Sequence, residues 1–525
     1  MKQLDSYLRG EWRPGEGDPI SLFDPTTEAQ VATVRRANQL GEALAYAREV
    51  GGPALRAMSF AQRGELLTAM SKSIYAKREE LLDLAVAETG NTRGDAKFDI
   101  DGATAVLAAY AELAAELGET PFLTEGEAAP LISGGKIRAQ HVRVPRHGVA
   151  IHINAFNFPA WGMIGKAAVS ILAGMPLLSK PATSTSLVAH RIAEILVEDE
   201  VLPAGVFNLL MGPVGDLLDH VQSQDVVAFT GSADTGTKIR THAAVLEQGV
   251  RVNVEADSLN AVVIGPDVEA GSELFDLVVR DCVTEMTQKA GQKCTATRRI
   301  LVPEGLLDAL RERLVEQLEG RAQATGNPAD KANRMGPLAT ASQLRDARAG
   351  VAKLGTDAKI VRGNPERTEF SGVEAGKGYF FEPVLLEADA AAATKPDAAF
   401  HGTEVFGPVA TLLPYDGEIE TAAKIVGLGR GSLVSTVYSD DRKFLGRAIT
   451  DCAPYLGRLV IAGEKIANAS FAPGLVFPLC NHGGPGRAGS GEELGGLAGL
   501  NLYTQRVAIQ GAASSLARLL GTSKA

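Results

Sequence analysis

Residues 226–236 read VVAFTGSADTG: a short apolar strand, a Gly-Ser turn and the start of a helix. Backbone N–H groups at the N-terminus of such a helix can bind a phosphate group. Because the stretch is not a complete G-x-G-x-x-G fingerprint, it indicates a strand–turn–helix unit but does not by itself establish a nucleotide site.

Similar units occupy the chain on both sides of this stretch. We predict strands at 141–144, 148–151, 175–179, 205–210, 226–229 and 252–254, and helices near 158–173, 185–199, 214–223 and 233–247. A second series has helices near 273–287 and 305–320 and strands at 299–303, 380–386, 409–414 and 433–438. Strands and helices that alternate at this spacing predict an α/β fold of doubly wound, parallel sheets. Residues 119–135 are interpreted as a connecting loop.

Composition narrows the class of protein. The chain has 525 residues, 45% of them apolar and 22% charged, which is typical of a folded, soluble protein. Its net charge of −11 and its 5% aromatic content argue against a nucleic-acid-binding surface. The uncharged stretches 147–165 and 466–486 contain prolines and asparagines, so neither can cross a membrane as a helix. Four cysteines without metal-type or disulfide spacing predict a reduced, cytoplasmic protein with no metal site.

Cys294 is the first candidate for chemistry. It lies in GQKCTATRR at residues 291–299, with one lysine and two arginines nearby in sequence. These positive charges could lower its thiol pKa and make it a nucleophile. A single free cysteine is more often a small buried apolar residue, so this segment alone leaves both interpretations open.

Two further polar residues stand where a strand meets a turn. Glu255 follows the strand at 252–254, at the carboxyl edge of the sheet where active sites gather, although an acid there is more often solvated. Asn157 precedes the helix near 158–173, where an amide can face a developing oxyanion or, more routinely, cap the helix. Neither residue decides the function alone.

Asn157, Glu255 and Cys294 occur in the order seen in aldehyde dehydrogenases, with the Gly-Ser turn between the first two. Further segments in the family's order are KPAT at 180–183, LPAGVFN at 202–208, EVFGP at 404–408 and GSGEELG at 489–495. The chain therefore resembles the aldehyde dehydrogenase superfamily over nearly its whole length. The resemblance implies an α/β fold with two Rossmann-type domains and an oligomerisation arm.

The resemblance also implies a domain division. Residues 1–127 and 148–256 are expected to form a discontinuous cofactor-binding domain, and residues 257–482 a catalytic domain. Residues 128–147 and 483–525 are expected to form an arm and tail that pair with a partner subunit. We expect a homodimer or a homotetramer.

The roles of the catalytic residues follow from the same resemblance. Cys294 is expected to attack the aldehyde, and Asn157 with the Cys294 backbone N–H to hold the oxyanion. Glu255 is expected to activate the water that hydrolyses the resulting thioester. Glu493 would relay protons to this base, and Lys166 would lie between the oxyanion and the cofactor.

The expected cofactor is NADP. The implied binding residues are Ser232 at the pyrophosphate, Lys180 at the adenosine ribose, Glu404 at the nicotinamide ribose, and Phe156 and Phe406 near the nicotinamide. Thr183 stands where NAD-using relatives often carry a glutamate that accepts from the ribose 2′-OH. Because threonine does not repel a 2′-phosphate and Lys180 can bind it, this position favours NADP.

Two departures from the family pattern lie near these residues. EADSL at 255–259 replaces the usual Glu-Leu-Gly-Gly-Lys, and the lost glycines could restrict movement of the base. His482 stands where relatives place a phenylalanine near the nucleophile. This histidine contacts the substrate or tunes the thiol, or it only packs there.

GQKC at 291–294, EADS at 255–258 and HGGPGRAG at 482–489 resemble a narrower group, semialdehyde dehydrogenases that act on CoA thioesters in aerobic aromatic-acid breakdown. The implied substrate is a CoA-linked semialdehyde, such as 3,4-dehydroadipyl-CoA semialdehyde of benzoate degradation. A semialdehyde of a phenylacetate-type pathway is the alternative. Relatives of that second type carry a fused hydratase domain, and the chain ends about 20 residues after YTQR at 503–506, which favours the stand-alone enzyme.

Two other functions stay open. A non-catalytic protein with this fold would have no physical need for Asn157, Glu255 and Cys294 together. A dehydrogenase that transfers the acyl group to free CoA would not need Glu255 to activate water. The sequence therefore favours an enzyme that releases a carboxylic acid.

Overall fold

Two large sheets organise the protein, for which a computed structural model describes residues 2–469 and 472–520. In spatial order, and numbered along the chain, the strands of the first sheet are β12 (Arg251–Glu255), β11 (Val226–Thr230), β8 (Ala150–Ile153), β9 (Leu177–Lys180), β10 (Phe207–Leu209), β2 (Ser6–Leu8) and β3 (Glu11–Arg13). The first five run parallel, and β2 and β3 extend the edge in antiparallel fashion.

The second sheet is buried on both faces. Its strands, in spatial order, are β15 (Lys359–Arg362), β16 (Val384–Glu387), β17 (Val409–Tyr415), β14 (Arg299–Pro303), β13 (Ala261–Ile264), β18 (Ser432–Tyr438) and β19 (Leu456–Ala462), all parallel except β15. Because side chains alternate along a strand, Ala261 and Val263 pack into one apolar core and Val262 and Ile264 into another. Burial on both faces is typical of parallel sheets covered by helices.

Three smaller sheets complete the strands of the described chain. The first contains β1 (Lys2–Leu4), β5 (Gln30–Arg36) and β4 (Glu16–Phe23). The second, which we call the arm sheet, contains β22 (Thr504–Ala512), β7 (Ile137–Pro145) and β6 (Leu123–Pro130), all antiparallel. The third is a hairpin of β20 (Asn481–Gly484) and β21 (Gly491–Leu494).

Helices cover both large sheets. They are α1 (Leu40–Tyr46), α2 (Gly52–Arg56), α3 (Phe60–Ala76), α4 (Arg78–Thr89), α5 (Arg93–Leu117), α6 (Trp161–Leu172), α7 (Ser186–Glu198), α8 (Ala233–Arg240), α9 (Ala243–Glu247), α10 (Glu273–Thr287), α11 (Leu307–Gln323), α12 (Ala341–Leu354), α13 (Ala390–Ala393), α14 (Ala399–Gly402), α15 (Ile419–Leu428), α16 (Arg442–Asp451) and α17 (Ala513–Leu519). Among the described helices, none combines the length and apolar character needed to span a bilayer.

The doubly wound α/β fold predicted from sequence is confirmed, with two local corrections. The helix expected near 214–223 is only a 3-10 turn, Leu217–His220, because Gly212 and Gly215 on its N-terminal side adopt left-handed φ values of 78° and 57°. Residues 119–135 are not a loop, since they contain β6. That strand has no alternating apolar pattern and is stabilised by backbone pairing with β7, the next strand along the chain. The domain boundaries drawn from the sequence stay predictions.

Candidate active site

Strands of the first sheet bring distant residues together at their carboxyl ends. β12 ends at Glu255 and β11 ends at Thr230, and the backbones of these two residues are paired. β8 leads into the loop that carries Asn157, which is buried like Glu255. Because parallel strands share one carboxyl edge, all three residues line the same cavity.

Asn157 does not cap the helix that follows it. α6 begins four residues later at Trp161, and its first N–H groups are held by Asp99, whose carboxylate accepts from Ala160 N at 3.2 Å and from Trp161 N at 2.8 Å. The capping interpretation of Asn157 is therefore wrong. Its amide instead donates to the carbonyl oxygen of Gln292 at 3.0 Å.

A left-handed turn positions Cys294. After α10 ends, Lys289, Ala290 and Gly291 have φ values of 53°, 52° and 69°. A Cβ on Gly291 would lie 2.3 Å from the carbonyl oxygen of Gly407, so the close approach there requires glycine. Each non-glycine residue in this region costs about 1–2 kcal/mol, which the surrounding packing must offset. The turn directs the chain back so that Cys294 lines the same cavity as Glu255.

His482 connects the thiol and the carboxylate. Its Nε2 atom lies 3.7 Å from Cys294 Sγ and 3.1 Å from Glu255 Oε1. The histidine is on β20, directly opposite Glu493 on β21. Of the two alternatives considered for His482, packing alone does not describe this geometry, because one nitrogen is within reach of both groups.

Lys166 and Glu493 form a second charged pair behind Glu255. The Lys166 ammonium lies 3.2 Å from the Glu493 carboxylate and donates to the Thr230 hydroxyl at 2.8 Å. Asn253 on β12 donates its side-chain amide to the same carboxylate at 3.2 Å. The pair is therefore fixed to the first sheet on both sides.

The site changes the proton affinity of its ionisable groups. Burial raises the pKa of Glu255, but the positive charge of His482, followed by that of Lys166, outweighs burial, so that pKa lies below its usual range. Burial raises the pKa of Cys294 well above its usual value, and the negative charge of Glu255 raises it further. Glu255 is thus a carboxylate at neutral pH, and the resting thiol is protonated.

The activation of Cys294 by neighbouring basic residues is a wrong expectation. The Lys293 ammonium pairs with Glu285 at 2.7 Å, and Arg299 donates to the carbonyl of Leu259 at 2.9 Å. Arg298 donates to the carbonyl of Gly407 at 2.7 Å. These groups bind other partners, and the charge of Arg298, which does act on Cys294, does not outweigh burial and Glu255 in setting the thiol pKa.

Two neighbouring cavities meet at Cys294. The first, which we call the reaction cavity, is narrow, about 80 Å³, and is lined by Phe98, Phe158, Trp161 and Val476 beside the catalytic candidates. The second, the cofactor cavity, is about 520 Å³ and shares Asn157, Glu255 and Cys294 with the first. Its lining contains every cofactor-binding residue implied by the sequence: Phe156, Lys180, Thr183, Ser232, Glu404 and Phe406.

The cofactor cavity has groups that fit a dinucleotide. Lys180 donates only to the carbonyl of Pro181, at 2.9 Å, among the described residues, and burial lowers its pKa to about 8. Ser232 caps α8 and accepts from Thr235 N at 3.3 Å. Glu404 accepts from Ser258 N at 3.0 Å, and burial raises its pKa to about 7.

Two residues with contacts in the cofactor cavity were missed as functional candidates. Asp257 accepts from the backbone N–H of Ala233 at 3.1 Å, at the N-terminus of α8 where a pyrophosphate was expected. The sequence did contain a signal for Asp257, because this residue replaces a glycine of the family pattern in EADSL. Arg298 lies 5.5 Å over the Phe406 ring and 3.5 Å from Glu404. Its closeness to Cys294 in sequence suggested the thiol as its partner, whereas its guanidinium group lies against Glu404 and Phe406.

The three groups around His482 are also a possible ligand set. Glu255, Cys294 and His482 offer ligand atoms within 4.8 Å of one another, close enough for one divalent ion. The sequence predicts no metal site because its cysteines show no metal-type spacing. The spacing of the cysteines could not reveal this cluster, since its members are separated by 39 and 188 residues (294 − 255 and 482 − 294).

The profile of the aldehyde dehydrogenase family matches residues 12–509. The chain belongs to the aldehyde dehydrogenase family. It is 41% identical to the 3,4-dehydroadipyl-CoA semialdehyde dehydrogenase of Aromatoleum evansii over 92% of this chain and 93% of that one. It is 28% identical to a succinate-semialdehyde dehydrogenase [NADP(+)] of Mycolicibacterium paratuberculosis over 92% and 93% of the two chains. Among solved structures, the NAD-dependent aldehyde dehydrogenase of Sinorhizobium meliloti superposes with a TM-score of 0.83, at 24% identity over 98% and 95% of the chains.

The comparisons confirm two expectations drawn from the sequence. This aldehyde dehydrogenase has the expected family and fold class. The roles assigned to its individual residues stay predictions.

Replacing His482 by glutamine should change the pH dependence of this aldehyde dehydrogenase. Burial raises the pKa of Glu255, and in the absence of His482 only Lys166 would oppose this effect to a large extent. The pKa of Glu255 should therefore rise. The acid limb of the kcat/KM profile should then move to higher pH by about one unit or more. The matched control is Glu492→Gln on the same hairpin, whose side chain is exposed. An unchanged acid limb in His482→Gln would show that the histidine does not set the charge of Glu255.

Proposed function

We propose that this aldehyde dehydrogenase oxidises a CoA-linked semialdehyde to the acid, with NADP as cofactor and Cys294 as nucleophile. The observation that carries the proposal is the approach of His482 Nε2 to both Cys294 Sγ and Glu255 Oε1. A structural protein would not need a buried thiol, imidazole and carboxylate in contact. Burial of such groups costs free energy, so a protein that keeps them together in one buried cluster is expected to use them.

The first half of the reaction forms a carbon–sulfur bond. The Cys294 thiol passes its proton to the neighbouring Glu255 carboxylate, which hands it on to the Glu493–Lys166 pair, and the thiolate attacks the aldehyde carbon. The new oxyanion lies between the Asn157 amide and the backbone N–H of Cys294, which donates to no other group in the described part of the chain. The carbon–hydrogen bond of this adduct then breaks and a thioester remains; a nicotinamide dinucleotide held in the cofactor cavity would accept the hydride.

The second half releases the acid. Glu255 takes a proton from water, and the hydroxide attacks the thioester carbon. The carbon–sulfur bond then breaks, and the sulfur regains a proton. Glu493 and Lys166, paired behind the base, provide groups that can pass the proton onward. Because Glu255 is charged at neutral pH, it is ready to act as a base, which favours hydrolysis over transfer to free CoA.

Glu255→Gln should separate the two halves. The acyl-enzyme should still form, although more slowly because the thiol proton must leave to solvent, giving a burst of reduced cofactor of about one equivalent per site, followed by little steady-state turnover. Cys294→Ala is the control and should give neither burst nor turnover, while cofactor binding persists. Rapid-mixing absorbance at 340 nm measures both. Turnover of Glu255→Gln near the wild-type rate, without a burst, would remove this residue from the role of base.

Support for NADP comes from the adenosine end of the cofactor cavity. Thr183 and Lys180 both line this cavity, and the Lys180 ammonium has no carboxylate within 4.0 Å among the described residues. A buried cation without a counter-charge attracts an anion strongly. A 2′-phosphate would supply that anion, and the Thr183 hydroxyl can donate to it.

Thr183→Glu should reverse the cofactor preference. The new carboxylate would repel a 2′-phosphate and accept from the 2′-OH of NAD. A charge-assisted hydrogen bond contributes about 1.5–3 kcal/mol, so kcat/KM for NADP should fall roughly ten- to a hundred-fold relative to NAD. Thr183→Ser retains the hydroxyl and is the matched control. The proposal fails if the wild type prefers NAD or if the ratio is the same in both variants.

The CoA-linked substrate is supported by similarity and by the shape of the site. The relative at 41% identity is named for a CoA-linked semialdehyde. The reaction cavity, at about 80 Å³, is too small for a whole CoA thioester. The aldehyde end would enter this cavity, and the nucleotide would remain outside it.

A substrate comparison tests this assignment. We expect kcat/KM for a CoA-linked semialdehyde to exceed that for a free aldehyde of equal chain length by at least about tenfold, equivalent to about 1.4 kcal/mol. The measurement is initial rates with both substrates at saturating cofactor. Equal values would exclude CoA from recognition and leave a free semialdehyde as the substrate.

We further propose that the arm sheet joins subunits of a homodimer. Several large apolar side chains are exposed on or beside it: Leu131, Ile132, Ile137 and Val507. Exposed apolar side chains on an antiparallel sheet with free edges are suited to a partner subunit. The mass in solution, expected at twice 55.0 kDa, tests this proposal.

A further inference from the structure

A third large cavity opens beside the reaction cavity. Its volume is about 860 Å³, and it forms where the start of α5, the end of α10 and residues 321–334 meet. We call it the outer basic cavity and define it by the polar residues Arg93, Gln288, Arg321, Asp330, Lys331 and Arg334. None of the roles derived above involves these residues.

Three cations of this cavity lack counter-ions. Among the described residues, no carboxylate lies within 4.0 Å of Arg321, Lys331 or Arg334, and none of their side chains donates a hydrogen bond. Burial lowers the pKa of Arg321, the charge of Asp95 raises it and that of Arg334 lowers it, so both groups are near Arg321. Arg321 is partly buried and Arg334 is exposed, and two neighbouring guanidinium groups are suited to a shared polyanion.

The acids of the cavity are already engaged. Asp83 pairs with Arg93, and Asp330 accepts from the backbone N–H of Ala332 at 2.9 Å. Asp95 is buried and accepts from the Thr92 hydroxyl at 2.8 Å. The lining thus carries four cations, Arg93 included, against three acids, and its charge remains positive by one.

A thin wall of side chains separates this cavity from the reaction cavity. Gln288, in the outer wall, accepts from the Lys293 ammonium at 2.8 Å, and that ammonium lies 5.8 Å from the centre of the Phe98 ring. Phe98 lines the reaction cavity, and Asp95, one helical turn earlier on α5, lines the outer basic cavity. These side chains form the boundary between the two spaces, and Lys293 is the residue before Cys294.

We propose that the outer basic cavity binds the phosphate groups of the CoA moiety while the aldehyde end reaches Cys294. The inference rests on the proposed CoA-linked substrate. CoA carries a diphosphate and a 3′-phosphate, which match a cluster of unpaired arginines and a lysine. Its pantetheine arm would pass Gln288 and Phe98 into the narrow apolar reaction cavity. The size ratio of the two cavities suits a small reacting end and a large charged one.

The test removes two charges and measures recognition of CoA separately from chemistry. In the double variant Arg321→Gln/Arg334→Gln, KM for the CoA-linked semialdehyde should rise about tenfold or more, with kcat nearly unchanged. Values of kcat/KM for a free aldehyde should stay within about twofold of wild type, which shows that the variant is folded and active. Calorimetry with CoA itself should show the same loss of affinity, and dephospho-CoA should bind more weakly than CoA to the wild type.

The matched control is Arg442→Gln/Lys443→Gln on α16, where two exposed cations lie outside all three cavities. It should leave every constant unchanged. Should the wild type prefer the CoA-linked substrate while the Arg321/Arg334 variant keeps its KM and its CoA affinity, only the present inference is overturned. Should the wild type show no preference for the CoA-linked substrate, the substrate proposal and this inference both fail.

Discussion

A buried carboxylate that keeps its charge is the constraint on which the rest of the site depends. Glu255 is almost completely removed from water at the end of β12, where an isolated carboxyl group would be protonated. His482, at 3.1 Å, and the Lys166 ammonium supply the compensating positive charge. They come from a hairpin and a helix, so strand, hairpin and helix must keep their relative positions for Glu255 to remain charged.

The same charge determines the state of the nucleophile. Burial and the charge of Glu255 raise the pKa of Cys294, so the resting sulfur is a neutral thiol. A thiol is far less reactive towards oxidants than a thiolate, so this environment protects the proposed nucleophile in its resting state. The proton must then move to a group within reach, and the Glu255 carboxylate beside the thiol is placed for it. Reactivity here therefore comes from a base in contact with the sulfur.

The surrounding space separates the chemical tasks. The reaction cavity is narrow and largely apolar, which strengthens the interactions among the few charges inside it. Cations that would bind phosphates lie elsewhere: Lys180 in the cofactor cavity, and Arg321 and Arg334 in the outer basic cavity. Asp257 at the N-terminus of α8 offsets part of the attraction of that helix for a pyrophosphate. Phosphate binding in the cofactor cavity is thus expected to depend more on Lys180 than the family pattern implies.

Local patterns in the sequence determined the α/β class, the strand–turn–helix at 226–236 and the bounds of α10 and β14, because period and turn chemistry depend on neighbouring residues. Family motifs also placed Cys294, Glu255, Asn157 and the lining of the cofactor cavity. Only the tertiary structure decided what each charged or polar group contacts. Lys293 pairs with Glu285, Asp257 accepts from the N–H of Ala233, and His482 contacts both the thiol and Glu255. These partners are separated by 8 to 227 residues (293 − 285 and 482 − 255), and burial, which sets their pKa values, is a property of the packed chain.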